Sequence, residues 1–235
     1  MIKPRCSLVI PFYQEARSVS AVVPAACAVL ERLDPGYEAI LVNDGSTDDT
    51  GPELDRLAAA DPHCRVLSLP RNQGQAVALY TGLRQSRGEI ILTMDGDGQD
   101  DPQDFPALLS LLEQQKLDVA CGWRRDRHDS VLRRAMSGLA NAVRSRVLHD
   151  GLHDAGCQLR VFRRAVIATL QPSPLMQSFL PAMAVAAGLR AGELPVHHHP
   201  RLQGESKYGF AKLWWRPFRE MLRLRRVLAH ADPPR

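Results

Sequence analysis

Four carboxylates fall within seven positions, Asp95, Asp97, Asp100 and Asp101, interleaved with Gly96, Gly98 and Gln99. Directly before them, Ile90-Ile91-Leu92-Thr93-Met94 reads as a buried strand. A strand that ends in clustered acid presents hard oxygen ligands, which suit Mg2+ or Mn2+. In extended chain Asp95 and Asp97 point the same way, because side chains alternate with period two. Gly96 and Gly98 leave the backbone open to a bulky polyphosphate. Magnesium commonly takes one or two protein carboxylates together with substrate phosphate oxygens. Asp-x-Asp alone is equally a polar turn after a strand, so the surrounding elements decide its meaning.

Those elements alternate. Cys6-Ser7-Leu8-Val9-Ile10-Pro11-Phe12 is short and almost continuously apolar, the pattern of a parallel strand covered on both faces. Helical spacing over 19–33 ends at Asp34-Pro35-Gly36. A second strand over 38–42 leads into Asn43-Asp44-Gly45-Ser46-Thr47-Asp48, where Ser46 or Thr47 can cap a helix over 48–60. A strand over 66–69, a helix reaching Gln85, the strand ending at Asp95, a helix over 104–115 and a strand over 117–122 follow. Strand–helix alternation with short connections predicts a parallel α/β sheet. Ligands of such sheets bind beyond the carboxyl ends of the strands. Tyr13 and Glu15, Asp44, and Asp95 with Asp97 all stand there, after three different strands.

The second half is less regular. Residues 124–129 form a charged loop, 131–148 an amphipathic helix, 159–162 a short strand, 166–170 and 179–187 helices, and 192–196 a strand. Asp154 beside Gly156 is a candidate base, or a cap or turn residue. His197-His198-His199 suggests zinc weakly, since neighbours in a strand face opposite ways. Arg201 and Lys207 lie in a polar loop with Gly204 and Ser206, which resembles a loop that closes over an anion. A carboxylate-held metal on one side and these cations on the other suit a diphosphate.

At 235 residues, with 45% apolar and 24% charged residues, the composition is that of one large globular domain or one and a half. Net charge is +4. Near the end Arg216, Arg219, Arg223, Arg225, Arg226 and Arg235 stand against Glu220 and Asp232, a basic tail on a near-neutral body. The five cysteines are scattered, none at metal-ligand spacing, and read as small buried residues in a reducing compartment. The first residues run straight into a strand, so no signal peptide is expected. The longest apolar runs reach about half of the ~20 residues a spanning helix needs. There is no Gly-x-x-x-x-Gly-Lys-Ser/Thr loop, no Gly-x-Gly-x-x-Gly after the first strand and no Gly-x-Ser-x-Gly elbow. A nucleic-acid partner is not expected.

Three segments resemble family 2 glycosyltransferases of the GT-A fold: Ser7-Leu8-Val9-Ile10-Pro11-Phe12-Tyr13-Gln14-Glu15, Leu41-Val42-Asn43-Asp44-Gly45-Ser46-Thr47-Asp48, and Met94-Asp95-Gly96-Asp97-Gly98-Gln99-Asp100-Asp101-Pro102. Two later ones, Asp154-Ala155-Gly156-Cys157-Gln158-Leu159-Arg160 and Arg201-Leu202-Gln203-Gly204-Glu205-Ser206-Lys207-Tyr208, are similar to the polyprenyl-phosphate branch, with dolichyl-phosphate mannosyltransferase and its undecaprenyl-phosphate relatives. The resemblance runs over about residues 5–215. It implies that Pro11, Tyr13, Glu15 and Asp44 bind the base and ribose of the donor. It further implies that Asp95, Asp97 and Gln99 bind the metal, that Gly96 lies against the donor, and that Arg124, Arg201 and Lys207 contact phosphates. Two features depart from relatives. The two spanning helices that bacterial relatives often carry after the Ser-Lys-Tyr loop are missing, and so is the Gln-x-x-Arg-Trp of processive synthases.

The expectation is therefore a GT-A, Rossmann-like, mostly parallel α/β domain over 1–208. Residues 1–122 form its nucleotide-sugar half and 123–208 its acceptor half, with a basic amphipathic segment over 209–235. It transfers one sugar, with inversion, from a nucleoside-diphosphate sugar to a polyprenyl phosphate, using Mg2+ or Mn2+. Asp97 and Asp154 are the expected catalytic residues, Asp154 positioning the acceptor or serving as base. A saccharide or other hydroxyl acceptor, a nucleotidyltransferase, and a non-enzymatic sugar-nucleotide-binding protein are the alternatives. In the last segment Phe210, Trp214, Phe218, Met221, Leu222 and Leu228 fall near helical spacing among Lys212, Arg216, Arg219, Arg223 and Arg226. That pattern describes a helix lying on the inner, cytoplasmic membrane surface. The alternatives are a helix packed on its own domain and a docking site for a membrane protein.

Overall fold

The computed structural model describes residues 3–124, 143–148, 150–200 and 219–225. Its elements are β1 (Cys6–Phe12), α1 (Ala16–Leu33), β2 (Glu38–Asn43), α2 (Thr50–Ala60), β3 (Cys64–Ser68), α3 (Gln75–Gln85), β4 (Ile90–Thr93), α4 (Phe105–Gln114), β5 (Val119–Trp123), β6 (Arg160–Arg163), α5 (Met176–Ala186) and β7 (Ala191–Pro195). The strands form one sheet in the order β3-β2-β1-β4-β6-β5-β7. β6 runs antiparallel to both its neighbours, and every other pairing is parallel. The alternation read from the first half is present. The strand from the second half, however, inserts between β4 and β5. Strands β6 and β7 of the second half thus share one sheet with the strands of the first.

Period-two alternation divides the core between the two faces of the sheet. Leu8, Ile10 and Phe12 of β1, with Leu41 and Leu92, pack against Val19, Val23 and Leu30 of α1 and Leu108 and Leu112 of α4. Val9, Ile40, Val42 and Ile91 face the other way, against Leu79 and Leu83 of α3 and Leu180 and Met183 of α5. Burial of both faces is why β1 and β4 read as continuous apolar runs. The 166–170 segment is a 3-10 helix, Arg164–Thr169, rather than an α-helix. Ser46 and Thr47 do not cap α2. Its first residue follows Asp49, and both hydroxyls are taken by Gln14, whose backbone N–H donates to Ser46 Oγ (3.1 Å) and whose Nε2 donates to Thr47 Oγ1 (3.0 Å).

Residues 219–225 are helical, and Met221 and Leu224 are buried in the same cluster as α3 and α5, with Leu222 and Arg223 exposed. Met221, expected on a membrane-facing side, therefore faces the protein. Phe210, Trp214, Phe218 and Leu228 lie outside the described residues, as do Arg201, Lys207, the charged loop after Arg124 and most of the 131–148 helix. Among the described residues no helix is long and apolar enough to cross a membrane.

Candidate active site

The carboxyl ends of β1, β2 and β4 assemble one polar edge. After β1 the chain turns at Gln14, whose φ of 55° is unusual for a residue with a side chain. Gln14 Oε1 accepts from the backbone N–H groups of Thr47 (2.9 Å) and Asp48 (3.2 Å), and the Glu15 N–H donates to Thr50 Oγ1 (2.9 Å). The loops after β1 and β2 are thus bonded to each other. Pro11, Tyr13 and Glu15 stand half-buried along this junction.

Asp44 is buried, and the strand pairing carries on past β1, its N–H donating to Phe12 O (2.9 Å). Its carboxylate gathers the loop before α3: Oδ1 accepts from Gln73 N (2.8 Å), and Oδ2 from Gly74 N (2.9 Å) and Asn72 Nδ2 (3.0 Å). This is three donors on one carboxylate, a structural task that the sequence did not reveal.

The acidic loop closes on itself. Asp100 Oδ2 accepts from Asp95 N (3.0 Å), and Asp97 Oδ1 accepts from Gln99 N (3.0 Å). Gly98 has φ 78°, a value that favours glycine. Gly96 has a different reason. It is buried, and a Cβ there would lie 2.4 Å from Phe12 Cδ1. Its bareness serves packing against β1.

Asp95 Oδ1 accepts from Gln75 Nε2 at 2.6 Å. Burial first, then the charges of Asp100 and Asp97, push the Asp95 carboxyl well above its ordinary value, against the pull of Arg124 and Arg160. Burial likewise pushes Asp100 up to about 6. Crowded acids that resist ionisation are the donor set a hard divalent cation fits, because the cation supplies the missing positive charge.

Beneath this loop lie two arginines. Asp154 holds Arg124 bidentately, Oδ2 accepting from Nε (2.8 Å) and Oδ1 from an Nη (2.9 Å), while Gly156 N also donates to Oδ1 (3.0 Å). A Cβ on Gly156 would come within 2.6 Å of the Arg124 guanidinium. Burial opposes the Arg124 charge, but Asp154 outweighs it and pushes the pKa up. Arg160 is fully buried and donates to the carbonyls of Gln177 and Ala155. The Asp154–Arg160 segment therefore builds a cationic floor, and its acid is committed to Arg124.

The loop after β7 covers the acidic loop. Asp100 and His198 form a bridge, and the His199 N–H donates to Gln99 O (2.9 Å). His197 Nδ1 lies 2.9 Å from Asp104 Oδ1 and His199 Nε2 3.0 Å from Asp101 Oδ2. His198 turns the opposite way, its Nε2 3.3 Å from Gln99 Nε2. The three histidines divide between two sides, as strand alternation expects, and do not share one ion.

Residues 7–170 match the family described as glycosyl transferase family 2. The chain belongs to that family. A dodecaprenyl-phosphate galacturonate synthase from Rhizobium johnstonii is 38% identical over 226 residues, 94% of this chain and 66% of that protein. An undecaprenyl-phosphate 4-deoxy-4-formamido-L-arabinose transferase from Edwardsiella ictaluri is 37% identical over 209 residues, 88% of this chain and 64% of that one. The chain thus spans about two thirds of the length of these curated relatives. Among solved structures, glucosyl-3-phosphoglycerate synthase from Mycobacterium tuberculosis, in complex with Mn2+, UDP and glucosyl-3-phosphoglycerate, superposes with a TM-score of 0.71. It has 18% identity and covers 97% of this chain and 81% of that one. A mannosyltransferase from Pyrobaculum calidifontis, in complex with GDP-mannose and Mn2+, gives 0.65 at 20% identity, with 100% and 67% covered. These likenesses bear out the GT-A fold.

The family 2 motifs read from sequence converge on one edge. Four further residues stand at that edge without an assigned role in the sequence reading: Gln75, Asp100, Arg160 and His198. Asp100 carried a signal, as the third acid of the loop. Gln75 carried none, and for Arg160 and His198 the sequence showed a motif but not these contacts, because their partners are distant in the chain.

Proposed function

We propose that this chain transfers a single sugar, with inversion, from a nucleoside-diphosphate sugar to a polyprenyl phosphate at a membrane surface. The observation that carries the reading is the convergence of Asp44, Asp95, Asp97 and the Arg124–Arg160 floor at one sheet edge in a family 2 chain. The polyprenyl-phosphate names of the curated relatives support the acceptor class.

Pro11, Tyr13, Glu15 and Asp44 frame the donor's base and ribose. Asp95, Asp97 and Gln99 would hold Mg2+ or Mn2+, which when bound offsets charge growing on the leaving diphosphate. Arg124, oriented by Asp154, faces the same charge, and Arg201 and Lys207 complete the phosphate contacts from the later loop. An acceptor phosphate is largely ionised near neutral pH, its second pKa being about 6, and needs no strong base. Asp154 suits that chemistry as a positioning residue. A carboxylate in a bidentate guanidinium pair is a poor proton acceptor, which disfavours the hydroxyl-acceptor alternative that requires one.

The decisive experiment offers labelled UDP- and GDP-sugars with undecaprenyl phosphate and Mg2+ or Mn2+. Label passing into the lipid phase supports the reading. Label passing only to water or to a soluble saccharide overturns it.

A further inference from the structure

Among the described residues, one set of three ligand-type groups gathers its donor atoms within 4.8 Å: Cys27, Asp61 and Cys64. It lies far from the acidic loop. Cys64 opens β3, whereas Asp44, Asp95 and Asp97 follow the last residues of strands parallel to it, so the cluster sits at the opposite end of the sheet. Cys27 comes from α1, and Asp61 caps the end of α2.

The spacing is specific. Cys27 Sγ and Cys64 Sγ are 3.6 Å apart, and Cys64 Sγ is 3.6 Å from Asp61 Oδ2. A tetrahedral ion with Zn–S of about 2.3 Å and Zn–O of about 2.1 Å places two sulfurs about 3.8 Å apart, and a sulfur and an oxygen about 3.6 Å apart. The carboxylate is already aimed. Tyr37 Oη donates to Asp61 Oδ2 (3.1 Å), His63 Nδ1 lies 3.0 Å from Oδ1, and the Tyr37 and His63 rings stack at 4.6 Å. Supporting contacts of this kind orient metal ligands. Both thiols are nearly buried, at 8% exposure, while the Asp61 side chain is 32% exposed, which leaves a way in from solvent.

We propose that Cys27, Cys64 and Asp61 form a site for a thiophilic divalent cation of the Zn2+ class, bracing α1 against the α2–β3 connection, with solvent in the fourth position. Two soft thiolates with one carboxylate select such an ion over Mg2+, which prefers all-oxygen sets. Binding replaces the two thiol protons, which leave to solvent. No spacing along the chain points to the site, because the two cysteines are 37 positions apart.

The test titrates the reduced, metal-stripped full chain with Co2+. One equivalent should give a thiolate-to-cobalt charge-transfer band that Zn2+ displaces. The band should vanish in Cys27→Ser and in Cys64→Ser and persist in Asp97→Ala, whose site is all oxygen and nitrogen. No band, or a band that survives either serine variant, overturns the proposal. A measurement free of variants uses alkylation by iodoacetamide in the presence of reductant, mapped by mass spectrometry. Zn2+ should protect Cys27 and Cys64 together. Unchanged alkylation with Zn2+, or protection that appears only under oxidant and marks a disulfide, also overturns it.

Discussion

Both ends of the sheet bury acid, and the two ends treat it in opposite ways. At the amino end Glu38 is buried on β2, yet it accepts from Ser7 Oγ (2.6 Å), Arg87 N (2.6 Å) and Arg87 Nε (2.9 Å). Burial alone would raise its pKa, but these donors outweigh burial and hold it below the ordinary value. Asp34 beside it accepts from the N–H groups of Arg5 (3.0 Å) and Cys6 (2.9 Å). At the carboxyl end Asp95, Asp97 and Asp100 crowd one another, and Asp95 and Asp100 are pushed up. The number of acids does not separate a site from a scaffold. The balance of donors to acids does: it is met around Glu38 and Asp34 and unmet around Asp95 and Asp100.

The contrast breaks most sharply at Asp97. Asp97→Ala should lower transfer by ~10²–10⁴-fold, the several kcal/mol a Lewis acid supplies, while circular dichroism and the melting curve stay those of the parent. A variant that unfolds would make the carboxyl-end acids structural after all. Next comes Asp154→Asn, which should cost about 10–100-fold, the size of a lost supporting contact, without altering the shape of the pH–rate profile. Disappearance of the acidic limb of that profile would restore Asp154 as the base.

At the other end, Glu38→Gln should reduce stability by about 1–3 kcal/mol, since its amide cannot accept from all of Ser7, Arg87 N and the Arg87 guanidinium. Urea midpoints measure this, and turnover per folded molecule should not change. A catalytic defect in Glu38→Gln would erase the division of labour between the ends.

The smallest effect is a pH dependence of opposite sign at the two ends. Asp100 has a folded value of about 6 against an ordinary 3.8, so its contribution to stability is complete below pH 3.8 and is lost as pH rises through 6. Glu38, depressed from 4.5, contributes above that pH and fails as pH falls through its folded value. Metal-free protein should therefore melt about 2–4 °C higher at pH 5.5 than at 7.5, for each kcal/mol involved. Asp100→Asn should flatten the difference, and Mn2+ should raise the melting temperature more at pH 7.5. Equal stabilisation by Mn2+ at both pH values would count against a charge-starved loop.

The sheet was legible wherever residues interact with near neighbours or bury both faces. The apolar runs of β1 and β4 and the acids that follow them announce both the strands and the polar edge. What stayed hidden depends on partners remote in the chain. Gly96 is explained by the Phe12 ring, the Ser46 and Thr47 hydroxyls by Gln14, and Asp154 by Arg124. None of these pairings has a periodicity or a spacing to read. The amphipathic pattern over 210–228 shows the same limit. It marks an apolar side without saying whether lipid or protein covers it, and at Met221 protein does.

Strand β6 has a consequence for how the chain is made. Residues 160–163 fill the gap between β4 and β5, so the centre of the sheet contains a strand synthesised some 70 residues after β4 begins. Until Arg163 clears the ribosome, the emerging polypeptide carries a bare β4 margin beside a completed β3-β2-β1 block, an invitation to pair with another nascent chain. Folding should then be slow, limited by closure of that long loop. A fragment ending at residue 123 should precipitate instead of accumulating as an independent nucleotide-binding unit.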